Sequence, residues 1–141
     1  MSDDRIFVDT NVLVYSYDTD AGSKHDTARS VLQGLWESRT GVVSTQVLQE
    51  FYVTVTRKLP KPLARQTARK IIDTYSAWLV HQPQVRDLIF SSELEERHKL
   101  SFWDALVITS AQQSDARTLL SEDLQAGQRF GQLLIINPFA A

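Results

Sequence analysis

The chain contains no cysteine in its 141 residues. That excludes a disulfide framework, a thiolate metal site and a cysteine nucleophile, and it is compatible with a reducing cytosol. No apolar stretch approaches the ~20 residues of a membrane span. The opening Met1-Ser2-Asp3-Asp4 is acidic and lacks the basic-then-apolar pattern of a signal peptide. A cytoplasmic protein with no membrane partner is therefore expected. The three histidines (His25, His81, His98) show no ligand spacing, which argues against zinc. Internal repeats, low-complexity tracts and long linkers are also missing, so residues 1–141 are expected to form one domain. That length can bury a core without staples.

What is present fits a globular chain, with 43% hydrophobic residues and a net charge of -2. The small net charge hides an asymmetry. Residues 1–50 hold eight acids and four bases, whereas residues 51–72 hold six bases and no acid. Those bases are Arg57, Lys58, Lys61, Arg65, Arg69 and Lys70. A chain that gathers positive charge into one segment can bind a phosphate backbone without being basic overall. A solvated helix face explains the same run as well.

Hydrophobic periodicity alternates between short apolar runs and amphipathic stretches. Residues 5–9, 42–44, 78–81, 118–120 and 133–136 read as strands. Between them lie helical patterns, the first after Ser23, which with Asp26 resembles a capping box. In the second, Val47, Leu48, Phe51, Tyr52 and Val55 share one face until Pro60 and Pro62 break it. In the next, Arg65 and Arg69 lie four apart and so share a face. Gly127 and Gly131 punctuate a loop before the last strand. Strands alternating with helices predict an α/β fold with a mainly parallel sheet of about five strands.

The first run, Ile6-Phe7-Val8-Asp9-Thr10-Asn11-Val12-Leu13, sets a carboxylate, a hydroxyl and an amide side by side in a stretch that otherwise reads as core. A strand entering that triplet and a helix leaving it would put Asp9 at the carboxyl end of a strand, where open α/β sheets place their ligands. Three further acids stand at comparable places. Asp104 follows Ser101 at capping spacing, so capping alone explains it, although its neighbours Phe102, Trp103, Ala105 and Leu106 are apolar. Glu50 has no basic residue three or four positions away and abuts Phe51, yet an idle exposed Glu is the ordinary reading. Asp123, after Leu119-Leu120-Ser121, is explained by a turn. Together the four suggest carboxylates meeting at one end of a sheet. Like charges brought close raise one another's pKa unless a cation compensates. Mg²⁺ and Mn²⁺ are hard ions that prefer oxygen ligands, and a divalent ion so held suits phosphodiester hydrolysis.

These residues resemble a family. Val8-Asp9-Thr10-Asn11, Ser44-Thr45-Gln46-Val47-Leu48-Gln49-Glu50-Phe51, Ser101-Phe102-Trp103-Asp104-Ala105 and Leu119-Leu120-Ser121-Glu122-Asp123-Leu124 occur in the order and at the distances of PIN-domain ribonucleases. Within them the chain most closely resembles VapC-type toxins of prokaryotic toxin–antitoxin pairs, over nearly its whole length. The resemblance implies a three-layer α/β/α fold and an acidic pocket at the strand ends. It implies metal binding and catalysis by Asp9, Glu50, Asp104 and Asp123, with Thr10, Asn11 and Ser121 orienting the carboxylates. It further implies RNA cleavage with Mg²⁺ or Mn²⁺, a homodimer, and inhibition by a cognate antitoxin. The segment with Arg57, Lys58, Lys61, Arg65 and Arg69 would then guide the RNA backbone, or serve dimerisation or antitoxin contact. Two other readings stand beside this one. One is a different Mg²⁺-dependent phosphohydrolase, disfavoured because Asn11 occupies the place of a second Asp. The other is a non-catalytic RNA- or protein-binding module on the same fold.

Overall fold

In the computed structural model the described residues are 4–140, and the acidic opening at residues 1–3 lies outside them. Twelve elements follow one another: β1 (Ile6–Val8), α1 (Thr10–Tyr15), α2 (Ser23–Ser38), β2 (Gly41–Ser44), α3 (Thr45–Arg57), α4 (Arg65–Tyr75), β3 (Leu79–His81), α5 (Val85–His98), α6 (Phe102–Gln113), β4 (Thr118–Leu120), β5 (Arg129–Phe130) and β6 (Leu133–Ile136). The strands form one sheet in the order β3-β2-β1-β4-β6-β5. All neighbours are parallel except β5 and β6.

The order decides where the helices go. From β1 the chain steps outward to β2 and β3, then returns past β1 to β4. Crossovers between parallel strands are right-handed, so reversing the direction of travel moves the connecting helices to the opposite face. Helices α1 to α4 therefore cover one face, and α5 with α6 the other. The packing agrees: α1 meets α2 and α3, α3 meets α4, and α5 lies against α6. The reversal occurs between β1 and β4, and the carboxyl ends of those strands are the switch point of the sheet.

β1 has paired strands on both sides and helices above and below, which is why Phe7 and Val8 are fully buried. The apolar stripe of α3 buries Val47, Phe51 and Val55 completely. Phe51 meets Tyr17 edge to face with ring centroids 5.7 Å apart. At the opposite end of the sheet Trp36, Tyr75 and Trp78 form an aromatic cluster, with centroid separations of 4.8 to 5.2 Å. Gly41 opens β2 beneath it. A Cβ there would stand 2.5 Å from the Trp78 ring, so only glycine lets the indole seat.

Two local expectations give way. The sheet has six strands among the described residues, not five, because the stretch read as a loop holds β5, which pairs antiparallel with β6 (Arg129↔Leu134, Phe130↔Leu133) around Gly131. Two residues are too few to show a period of two. The capping box proposed at Ser23 does not form: Ser23 is the first helical residue, and Gly22 at φ 64° occupies the cap with no side-chain bond. Among the described residues no helix is long and apolar enough to cross a membrane.

Candidate functional site

Asp9 follows β1 directly and caps α1, taking the Thr10 N–H on its Oδ1 at 2.7 Å. The cap needs an extended backbone and a short side-chain acceptor, and Asp supplies both. Parallel pairing aligns Val8 with Leu120, and the Asp9 N–H continues the ladder to the Leu120 carbonyl at 3.0 Å. That register carries Ser121 to the side of Asp9, where the fully buried hydroxyl donates to Oδ2 at 2.8 Å.

The next two residues of the triplet reach different elements. Thr10 Oγ1 donates to Glu50 Oε1 on α3 at 2.7 Å. Asn11 Nδ2 donates to Asp123 Oδ2 beyond β4 at 3.0 Å, while its Oδ1 accepts the Glu122 N–H at 3.4 Å. Ser121 Oγ also accepts the Asp123 and Leu124 N–H groups at 3.2 and 3.4 Å, which shapes the turn that carries Asp123. Three consecutive side chains thus tie the ends of β1 and β4 to the first half of α3. Asp104 has no bond to the triplet. It stands half-buried in the first turn of α6, where its N–H donates to the Ser101 hydroxyl at 3.0 Å.

The electrostatics show that the acids feel one another. Asp9 is 6% exposed, and burial pushes its carboxyl up from 3.8 to about 6. The bonds from Ser121 and Thr10 oppose that rise, whereas the charges of Glu50 and Asp123 add to it. Burial raises Asp104 as well, with the charge of Asp123 contributing. Glu122 belongs to a separate group: it accepts the Tyr15 hydroxyl at 2.6 Å and pairs with Lys24. Burial would raise its carboxyl, but those two partners hold it below its ordinary value.

A groove of about 530 Å³ opens beside Thr10 and Glu50, between α3 and Trp103. Of the basic residues singled out by charge, Lys58 lines it. Arg57, Arg65 and Arg69 are exposed and do not line it, and Lys61 reaches Asp20 at 3.7 Å. Gln46 and Trp103 also line the groove and carry no charge signal in the sequence. Gln46 is 5% exposed, and its Nε2 donates to Glu50 Oε2 at 3.4 Å and to the Trp103 carbonyl at 3.3 Å. Trp103 is 61% exposed, the most open of the three tryptophans. The available signal for Gln46 was its place one turn before Glu50, inside the apolar run of α3. A second groove, of about 510 Å³, lies at the amino ends of the strands around Arg5, Arg39 and Trp78, and none of the four acids lines it.

A parallel sheet with carboxylates gathered at its switch point defines a class: α/β domains that work at the carboxyl ends of their strands. Within that class the chain belongs to the PIN domain family, whose pattern matches residues 6–128. The fold is similar to that of VapC20 of Mycobacterium tuberculosis, described as a sarcin–ricin loop cleaving toxin. The two share 22% identity over 84% of this chain and 89% of that one, with a TM-score of 0.66. It is also similar to a toxin–antitoxin complex chain from Klebsiella pneumoniae (16% identity, 97% and 99% of the chains, TM-score 0.71). A third relative in fold is VapBC2 from Rickettsia felis, bound to a DNA fragment from its promoter (19% identity, 92% and 96%, TM-score 0.62). No curated protein sequence matches the chain.

Whether the acids suit a metal ion can be tested on their chemistry. All four offer hard oxygen donors, and burial, with a smaller contribution from neighbouring carboxylates, raises Asp9 and Asp104, a burden that a cation would relieve. Among the described residues no three His, Cys, Asp or Glu side chains already converge as an ion cage. Thr10 holds Glu50 and Asn11 holds Asp123, each by one hydrogen bond from the residues that follow Asp9. The donor set therefore fits a hard divalent ion in kind.

Proposed function

We propose that this PIN domain is a metal-dependent endoribonuclease and the toxin of a toxin–antitoxin pair. One observation carries the reading: Asp9, Thr10 and Asn11 link directly to Ser121, Glu50 and Asp123, so three acids from distant parts of the chain are tied to one strand end. Asp9 and Asp104 would hold the principal Mg²⁺ or Mn²⁺ ion, with Glu50 and Asp123 contributing directly or through water. When bound, such an ion lowers the pKa of a water and offsets the charge that develops on a phosphoryl group.

The chain's own residues do the positioning. Ser121 fixes the rotamer of Asp9 and favours its ionised form. Thr10 holds Glu50, and Asn11 holds Asp123, each by one bond from the same turn. Among the described residues no histidine or lysine is bonded to Asp9, Glu50, Asp104 or Asp123, so proton removal from the attacking water falls to a carboxylate of the cluster. RNA is the substrate class, by analogy with the loop-cleaving relative. A cognate antitoxin is the partner, because the relatives from Klebsiella and Rickettsia are toxin–antitoxin assemblies. A homodimer working in the cytoplasm completes the proposal.

The test is inducible expression of the wild type, Asp9→Asn and Asp104→Asn, with and without the adjacent reading frame, followed by mapping of new RNA 5′ ends. Discrete ends and growth arrest should appear for the wild type alone and should vanish when the neighbour is co-expressed. Equal cleavage by Asp9→Asn would remove the carboxylate mechanism, and growth arrest without discrete ends would remove the nuclease.

A further inference from the structure

The groove beside Glu50 is built along one stripe of α3. Gln46, Gln49, Val53 and Thr54 line it, and Lys58, the residue that caps α3, closes its far end. Apart from the adjacent Val53 and Thr54, successive positions are three or four residues apart, the spacing of one helix face. At the rise of an α-helix the stripe runs ~18 Å from Gln46 to Lys58, with Glu50 about one turn from the Gln46 end.

Across from Gln46 stands Trp103, its indole 61% exposed although its backbone carbonyl is held by the Gln46 amide at 3.3 Å. An exposed indole immediately before the half-buried Asp104 has no packing role that explains it. Phe102 meets it in a T-shaped contact, at a centroid distance of 5.4 Å with the rings 79° apart, and the indole stays 61% exposed. The Gln46 amide is itself loosely held. Its two bonds are long, and its buried Oε1 has no donor. The groove therefore offers a flat aromatic face at one end, amides and hydroxyls on its rim, a carboxylate bound by Thr10 in its course and a cation at the other end.

We infer that this groove is the seat of a single-stranded RNA segment, with a nucleobase stacked on Trp103 and a backbone phosphate at Lys58, on opposite sides of Glu50. The inference rests on the reading of the chain as an RNA-cleaving enzyme and adds the residues that select and align the strand. Stacking on an aromatic face suits every base, while the exposed rim amide of Gln49 discriminates among base edges. A protein helix would demand a continuous apolar stripe. Here the α3 stripe offers one valine among amides, a carboxylate and an ammonium, which matches the alternation of base face and phosphate charge.

Binding of a labelled single-stranded oligoribonucleotide is measured by anisotropy in EDTA, so that affinity is read without turnover. Trp103→Ala should weaken binding about ten-fold, the scale of one lost base stack, while Trp103→Phe should stay within about three-fold. Lys58→Ala should lower the slope of log Kd against log salt by about 0.7, one phosphate contact on a single strand. A folding defect would move Trp103→Phe and the salt slope together; a stacking role moves neither. The inference is overturned if Trp103→Ala binds like the wild type. It is overturned equally if that variant keeps its RNA affinity and loses only the protein product of the adjacent reading frame. If the wild type neither binds nor cleaves RNA, the nuclease reading falls first and the groove's assignment with it, whereas cleavage by a wild type indifferent to Trp103 and Lys58 removes the groove alone.

Discussion

Asp9→Asn should make the metal-free protein more stable at neutral pH, and the gain should depend on pH. In the folded chain burial raises the Asp9 carboxyl from 3.8 to about 6. Between those values the folded protein keeps a proton that the unfolded chain has released. Stability therefore falls as pH rises through the window and reaches its floor above the folded value. The rise corresponds to about 3 kcal/mol in favour of the protonated form. Asparagine carries no charge to bury, and its oxygen can still accept the Thr10 N–H. Its amide would meet the Ser121 hydroxyl, which already accepts the N–H groups of Asp123 and Leu124. That mismatch costs a similar amount at every pH, so the change with pH isolates the charge. Thermal melts of both proteins in EDTA from pH 4 to pH 8 are the assay. The difference in Tm, variant minus wild type, should grow by about 10 °C across the range for a domain of this size. A difference that stays flat, or shrinks as pH rises, would refute the claim that Asp9 is held ionised at a cost.

Three further outcomes follow from the same geometry. Mn²⁺ at about 100 times its dissociation constant should stabilise the wild type by about 2.7 kcal/mol and leave Asp9→Asn and Asp104→Asn unmoved, as read from melts across a metal titration. Ser121→Ala removes a donor to Asp9 and an acceptor for two N–H groups. Urea unfolding should show a loss of about 1–3 kcal/mol, larger at pH 8 than at pH 5 because the lost donor serves the ionised carboxylate. Gly41→Ala sets a methyl 2.5 Å from the Trp78 ring, and overpacking of this kind costs about 1–3 kcal/mol. Trp78→Phe deletes the ring atoms that clash, so the double variant should lose less than the two single losses added, a coupling that a double-mutant cycle measures.

The parts of the fold that could be read from the chain are those whose signal is local. Ile6, Phe7 and Val8 are continuous apolar residues because β1 is buried on both faces, and Phe51 sits on a helical stripe because α3 buries one side. β5 escaped because a two-residue strand has no period of its own and exists only through its pairing with β6. Ser23 had the chemistry of a cap, but Gly22 took the turn. Arg65 and Arg69 share a face, and their spacing says nothing about where that face points. In the folded chain Lys58 alone of the basic segment's candidates reaches the groove beside Glu50. Gln46 and Trp103 were hidden for a related reason, since an amide and an indole carry no charge pattern and acquire meaning from what stands opposite.

Reading along the chain names the groups available: acids at positions 9, 50, 104 and 123, hydroxyls and amides beside them, and no thiol. It also shows the periods that make strands and helices, because those depend on neighbours a few residues away. Which of these groups meet is set by the folded arrangement. Thr10 finds Glu50 forty residues on, because β1 pairs with β2 and α1 packs on α3, and Asp9 finds Ser121 after 112, because β1 pairs with β4 in a register that no local pattern encodes. The physical reason is that a carboxylate's neighbours through space set its charge state. Asp9 is an ordinary aspartate in the chain, and becomes one with a raised pKa when the sheet closes around it.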